Sequence, residues 1–161
     1  LTERAQLTKD FTKLAIGLPR GHGKTIFLKL FILYLILFTD RKFILVVAAT
    51  ATLAENIIAD VVDMLEEQNI QKTFGNWQIG IEKDTQGLKK FGFRGRNIIL
   101  AALGSGGSPR GLNIKFVRPD FILMDDVQTR ENADSEEQSD QLLRWLMGTL
   151  MKTNDPHRCM Y

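Results

Sequence analysis

Residues 17–25 read Gly17-Leu18-Pro19-Arg20-Gly21-His22-Gly23-Lys24-Thr25 and follow the apolar run Leu14-Ala15-Ile16. A strand that feeds such a turn, with a helix behind it, makes a cradle for phosphate. Gly21 and Gly23 let the backbone turn its N–H groups inward and come close to a triphosphate. Lys24 offers positive charge to the β- and γ-oxygens, and the Thr25 hydroxyl offers a ligand to Mg²⁺. The helix that starts there points its positive end at the same anion. The strict pattern has glycine at position 18, where this chain has Leu18. Gly-x-Gly-Lys-Thr between a strand and a helix still sets how the remainder is read.

A second stretch, a hundred residues on, supplies the matching acids. Phe121-Ile122-Leu123-Met124-Asp125-Asp126 is an apolar strand ending in two carboxylates. A buried strand delivers its last residues to the carboxyl edge of a parallel sheet, where ligands of open α/β sheets bind. Asp125 there can hold Mg²⁺ opposite Thr25. Asp126 can orient and deprotonate the water that attacks a γ-phosphate. The other reading of the pair is two strand-end acids that cap the next turn.

The pattern between these stretches predicts an α/β fold: a P-loop NTPase of RecA-like type, a mostly parallel central sheet flanked by helices. A first strand is expected at 14–18 and a first helix at 24–38. Lys42 to Ala49 is a continuous apolar run, as in a strand covered on both faces. Thr52 and Glu55 have capping-box spacing for a helix to about Gln68, with Leu53, Ile57, Val61 and Leu65 along one face. Residues 69–96 are the least readable, with short strands expected at 88–93 and 97–102. Ser135 with Gln138 can cap a last helix to about Lys152, its core face made by Leu142, Leu143, Leu146 and Leu150. The run from Ile26 to Phe38 invites a membrane reading, but it is short and interrupted by Lys29, and a spanning helix needs roughly 17 residues or more. A helix buried against the sheet is expected instead.

Bulk properties agree. The 161 residues suit one domain spanning 1–161, and 44% apolar with 25% charged residues is ordinary for a soluble protein. A net charge of +2 is too small to argue for nucleic acid by itself. The one cysteine, Cys159, excludes an internal disulfide and suits a reducing compartment. No charged-then-apolar leader is present at the start, so no secretion signal is read. The sequence reads as a fragment, without an initiator Met and stopping at Met160-Tyr161 just inside a new strand.

Three segments together resemble the large terminase subunit of tailed bacteriophages, the ATPase that drives DNA into a preformed capsid. They are Pro19-Arg20-Gly21-His22-Gly23-Lys24-Thr25, Gly104-Ser105-Gly106-Gly107-Ser108-Pro109-Arg110-Gly111, and Arg118-Pro119-Asp120 running on to Asp125-Asp126. The likeness covers about Leu14 to Trp145. It implies ATP and Mg²⁺ as cofactors, with Arg20, Gly21, His22, Gly23, Lys24 and Thr25 around the phosphates. Thr25 and Asp125 would hold the metal, and Asp126 would be the catalytic carboxylate. Arg20 falls where family members carry an arginine that senses the γ-phosphate in cis. Arg110 falls where some present an arginine finger to a neighbour's ATP. A guanidinium suits either task, because its planar fork meets two phosphate oxygens and keeps its charge. The family's partners are double-stranded DNA, a homo-oligomeric ring on a portal and procapsid, and a small terminase subunit. The setting is the host cell cytoplasm, with no membrane. Asp126 differs from the glutamate usual there, and the family's coupling motif and nuclease domain lie downstream of the matched region, so nuclease activity is not expected here.

Other constellations have plainer readings. Lys83, Lys89, Lys90, Arg94 and Arg96 surround Phe91 and Phe93, which suits either a phosphate-gripping surface or a solvated hairpin face. Glu131, Asp134, Glu136, Glu137 and Asp140 flank a helix N-terminus and favour its dipole. Gln128 could sense a γ-phosphate or be a loop residue, and Gln6 is a weak candidate for an adenine contact or else a helix-surface residue. Two histidines and one cysteine make no zinc site. A helicase-like translocase and a non-hydrolysing nucleotide-binding module remain alternatives, and a P-loop kinase lacks a recognisable acceptor lid.

Overall fold

A computed structural model describes residues 14–17, 19, 21–109, 117–128 and 134–153. Helix α1 (Lys24–Phe38) leads to strand β1 (Phe43–Ala48), then to α2 (Ala51–Glu66) and a short α3 (Gln68–Phe74). A 3-10 turn at Trp77–Gly80 opens β2 (Ile81–Thr85), β3 (Leu88–Phe93) and β4 (Arg96–Gly104). Strand β5 (Phe121–Met124) and helix α4 (Glu136–Gly148) follow. The sheet order is β2-β3-β4-β1-β5, with β4, β1 and β5 parallel and the β2-β3-β4 side antiparallel.

Strand β1 reads Phe-Ile-Leu-Val-Val-Ala and is buried at every position, as a middle strand covered on both faces must be. Its alternate side chains feed two cores. Ile44, Val46 and Ala48 join α1 and α2, whereas Phe43, Leu45 and Val47 join Ile122, Leu150 and the partly buried Trp145 and Leu146. Helices α1 and α2 therefore cover one face, and α4 lies on the other.

The α/β architecture agrees with the expectation, and several details differ from it. Residues 14–17 are not a strand: they lie outside the sheet, with Leu14 57% and Ile16 40% exposed, and position 18 is outside the described residues. The segment has no ladder because the strand it lies beside, β5, is hydrogen-bonded to β1 alone among the described residues. Helix α2 starts one turn-fragment early, at Ala51. Thr50, not Thr52, is the cap, and its hydroxyl accepts from the Leu53 N–H at 3.2 Å. Leu53 faces solvent, and Ala54, Ile57, Ile58, Val61, Val62 and Leu65 form the buried face. Ser135 caps α4 as expected, accepting from the Gln138 N–H. Leu143, however, is 56% exposed, and Trp145 and Leu146 pack inward with the buried Leu150 in its place.

Helix α1 is only half buried. Ile32, Leu33, Leu35, Ile36 and Leu37 enter the core, while Ile26, Phe27, Leu30, Tyr34 and Phe38 stay exposed. Among the described residues no helix is long and apolar enough to cross a membrane.

Two arginines close the far end of α1. Arg94 and Gly95 both have positive φ (50° and 75°), the geometry of a tight two-residue hairpin turn between β3 and β4. That turn sends the Arg94 guanidinium to the Leu37 carbonyl at 2.9 Å, and Arg96 to the carbonyls of Ile36 and Thr39. Cations there satisfy the orphan carbonyls of a helix C-terminus and complement its dipole. Burial, reinforced by the nearby Arg94 charge, lowers the Arg96 guanidinium below its ordinary value. Lys89 pairs with Asp84 and Lys90 with Glu82, and Phe91 and Phe93 are buried. The basic stretch thus serves the fold: four of its five cations are engaged and its aromatic rings are covered.

Register between β1 and β5 is set by Asp120, a buried carboxylate just before β5. Its two oxygens accept from the backbone N–H groups of Lys42 (2.8 Å) and Phe43 (3.1 Å). The buried Arg41 guanidinium donates to the Asp120 carbonyl at 2.7 Å. Each hydrogen bond to a charged group contributes about 1.5–3 kcal/mol, and its loss strands a buried donor. Asp120→Ala is expected to lower unfolding free energy by about 2–4 kcal/mol, read as a fall in the urea midpoint at unchanged slope.

Candidate functional site

The glycines of the 17–25 stretch adopt the turn that the sequence requires. Gly21 has φ 81° and Gly23 φ 68°, in the left-handed region where a side chain is strained. Gly23 is the N-cap of α1, and its carbonyl accepts from the Phe27 N–H at 2.9 Å. Among the described residues no side chain caps this helix and no acid sits in its first turn, so its N-terminal positive end can face another anion.

Residues one hundred positions away complete the site. The Thr25 hydroxyl donates to Asp125 Oδ2 at 3.1 Å. Lys24 Nζ lies 2.7 Å from Asp126 Oδ1 and 3.2 Å from Asp125 Oδ1. The two neighbouring acids reach one ammonium because the backbone breaks between them. The Asp125 N–H still donates to Val47 at the end of β1 (3.0 Å), so its side chain stays buried at 7% exposure. Asp126 has φ 43°, a left-handed conformation uncommon for a residue with a side chain, and its carboxylate swings out to 80% exposure. One acid is dry and the other wet.

Asp125 Oδ1 is buried and accepts no hydrogen bond among the described residues; its approach to Lys24 is a charge contact. A buried carboxylate oxygen left in this way calls for a partner. With the Thr25 hydroxyl beside it, the donor set is all hard oxygen, which fits Mg²⁺. No group of three His, Cys, Asp or Glu side chains among the described residues could hold a metal unaided. Mg²⁺ does not need one, since it commonly takes one or two carboxylates and completes its shell with phosphate and water.

Around these residues lies a cleft of about 250 Å³, lined by Thr25, Asp125 and Asp126 together with Lys29, Asn56 and Asp60. The sequence reading passed over the last three. Lys29 is one turn beyond Thr25 on the same face of α1 and pairs with Asp60 of α2, which itself lies one turn beyond Asn56. The signal that could have found them is this i, i+4 spacing of polar residues on otherwise apolar helices.

Lys24, Thr25, Asp125 and Asp126 are therefore brought together, with Gly21 and Gly23 at the turn before them and His22 exposed between. Gln128 is turned elsewhere, its amide donating to Ser139 at 2.9 Å. Arg20, Arg110, Gln6 and Glu131 lie outside the described residues. A scan against protein-family models found none that matches the chain, and a search of curated proteins found no match.

The hydrogen bond from Lys24 to Asp126 raises the lysine above its ordinary 10.5; partial burial opposes this, and Asp125 adds to the rise. A raised lysine stabilises the fold at every pH below its unfolded value, and that contribution fades as pH climbs through the folded value. Lys24→Met is expected to be less stable than the parent by a constant margin from pH 7 to 9. The margin should shrink as pH rises above the ordinary lysine value of 10.5. Chemical denaturation across that pH series measures it.

Proposed function

We propose that this chain is the ATPase unit of a motor that moves double-stranded DNA, of the kind found in the large terminase subunit. One observation carries the reading: at the start of α1, Lys24 meets both Asp125 and Asp126 and Thr25 meets Asp125, all within 3.2 Å. Four residues from two distant stretches then surround one place for a metal-bound triphosphate. The likeness of the three segments to large terminase subunits supports the choice of motor over other P-loop enzymes.

The backbone N–H groups from Gly21 to Gly23 and the Lys24 ammonium bind the β- and γ-phosphates. Thr25 and Asp125 would hold Mg²⁺, which would supply neutralising charge to the β- and γ-phosphates. Asp126 accepts a hydrogen bond from water and takes its proton as the water oxygen attacks the γ-phosphorus. The bond to the ADP oxygen breaks in line, leaving ADP and phosphate. Arg20 in the same chain, or Arg110 from a neighbouring copy, absorbs the charge that develops. In the proposed setting, copies form a ring on a procapsid portal with a small terminase subunit, inside the host cell cytoplasm.

The test is phosphate release with ATP and Mg²⁺, at concentrations where copies associate. Asp126→Asn is expected to slow release by about 10²- to 10⁴-fold while a fluorescent ATP analogue still binds. Unchanged release would point to a module that binds nucleotide without catalysing its hydrolysis. Stimulation by duplex DNA supports the packaging motor, whereas stimulation by single strands or RNA supports a helicase-like translocase.

A further inference from the structure

Helix α2 presents polar side chains to the cleft beside Asp125 and Asp126. Asn56 and Asp60 stand one turn apart on one face of it, and both line that cleft. Helix α1 repeats the arrangement with Thr25 and Lys29. Both helices start at the carboxyl edge of the parallel strands, α1 beside Asp125 and α2 just after Ala48, and both pack on the same face of β1. They therefore run the same way. The ion pair between Lys29 and Asp60 joins the second members of the two pairs. Thr25 and Asn56, each one turn nearer the edge, then face each other across the cleft.

Asn56 adds nothing to the fold. Asparagine is a poor helix former inside a helix, because its amide competes with the backbone for hydrogen bonds. Here the side chain is exposed, and its amide makes no hydrogen bond among the described residues. Three carboxylates, Asp60, Asp125 and Asp126, already line the space. A neutral group that both donates and accepts brings hydrogen bonds there without adding to their charge.

We infer that Asn56 binds the terminal phosphate of the nucleotide and the water that attacks it, an inference that rests on the ATPase reading above. A cleft of about 250 Å³ takes a phosphate group and several waters, since a water fills about 30 Å³. The Asn56 amide N–H donates to a γ-oxygen. Its Oδ1 accepts a hydrogen bond from one proton of the attacking water, and Asp126 takes the other proton. With both protons engaged, a lone pair of the water oxygen is left to meet the γ-phosphorus. ADP has no atom at this place, so Asn56 distinguishes a triphosphate from a diphosphate.

Calorimetric titration of the full chain with ADP and with the β,γ-imido analogue of ATP, each with Mg²⁺, tests this without requiring turnover. Asn56→Ala is expected to bind the analogue roughly ten- to hundredfold more weakly than the parent, as for a lost hydrogen bond to a charged group, and to bind ADP equally well. Its urea midpoint should be no lower than the parent's, since alanine is the better helix former. An unchanged affinity for the analogue, or an equal loss for ADP, would overturn the inference and leave the ATPase reading standing. Binding of neither nucleotide by the parent would remove that reading, and this inference with it.

Discussion

Asp120 spends both carboxylate oxygens on the first backbone N–H groups of β1, and this contact fixes where β5 begins against its neighbour. With the start set at Ile44 opposite Phe121, the strand must finish at Met124 opposite Val47. Asp125 then takes the next ladder bond, to Val47, and Asp126 is the first residue free of the sheet. A shift of one residue would turn the buried acid outward and the exposed acid inward, because strand side chains alternate between faces. The contact at one end of the sheet thus sets where the two acids stand at the other, some five residues, or about 17 Å, away.

The site was legible in the sequence because its parts obey strong local rules. Gly21 and Gly23 announce left-handed backbone, Lys24-Thr25 announces a helix start, and an apolar run closed by two acids announces a buried strand reaching an edge. The meeting of Lys24 with Asp125 and Asp126 needed only those elements to be parallel neighbours. What was illegible depends on contacts far along the chain. Arg94 and Arg96 look like a nucleic-acid surface until α1 is seen to end beside them, its last carbonyls accepting from their guanidinium groups. Lys29 looks like a flaw in an apolar helix until Asp60 faces it. Thr52 has the capping-box spacing, yet Thr50 caps α2; Leu53 goes to solvent, while Ile57, Val61 and Leu65 stay buried as expected.

The failure of 14–17 as a strand has a different origin. Its apolar residues have the right composition, but a strand is stabilised by a partner that completes its ladder, and single strands contribute almost nothing alone. Leu14 and Ile16 border the same cleft as β5 without pairing to it. Composition predicts that a segment can be a strand; only its neighbours determine that it is one. The phosphate turn that follows keeps its shape regardless, since Gly21 and Gly23 set it through their own dihedrals and α1 is held by its packing on β1 and α2.

The most consequential feature of the site is that one ammonium serves two masters. Lys24 bonds Asp126, the acid proposed to activate water, at 2.7 Å, and it is the group proposed to bind the γ-phosphate. It cannot satisfy both fully. While Lys24 holds Asp126, that carboxylate oxygen is occupied by the ammonium and is not open to a water. In the proposed reaction a triphosphate, which carries more negative charge than one exposed carboxylate and would also meet the helix end, would outcompete Asp126 for the lysine. Its binding would then leave Asp126 open to the water it is proposed to orient. The left-handed backbone at that residue supports the same conclusion, for it holds the carboxylate in solvent where it can exchange partners, while the buried Asp125 stays fixed on β1.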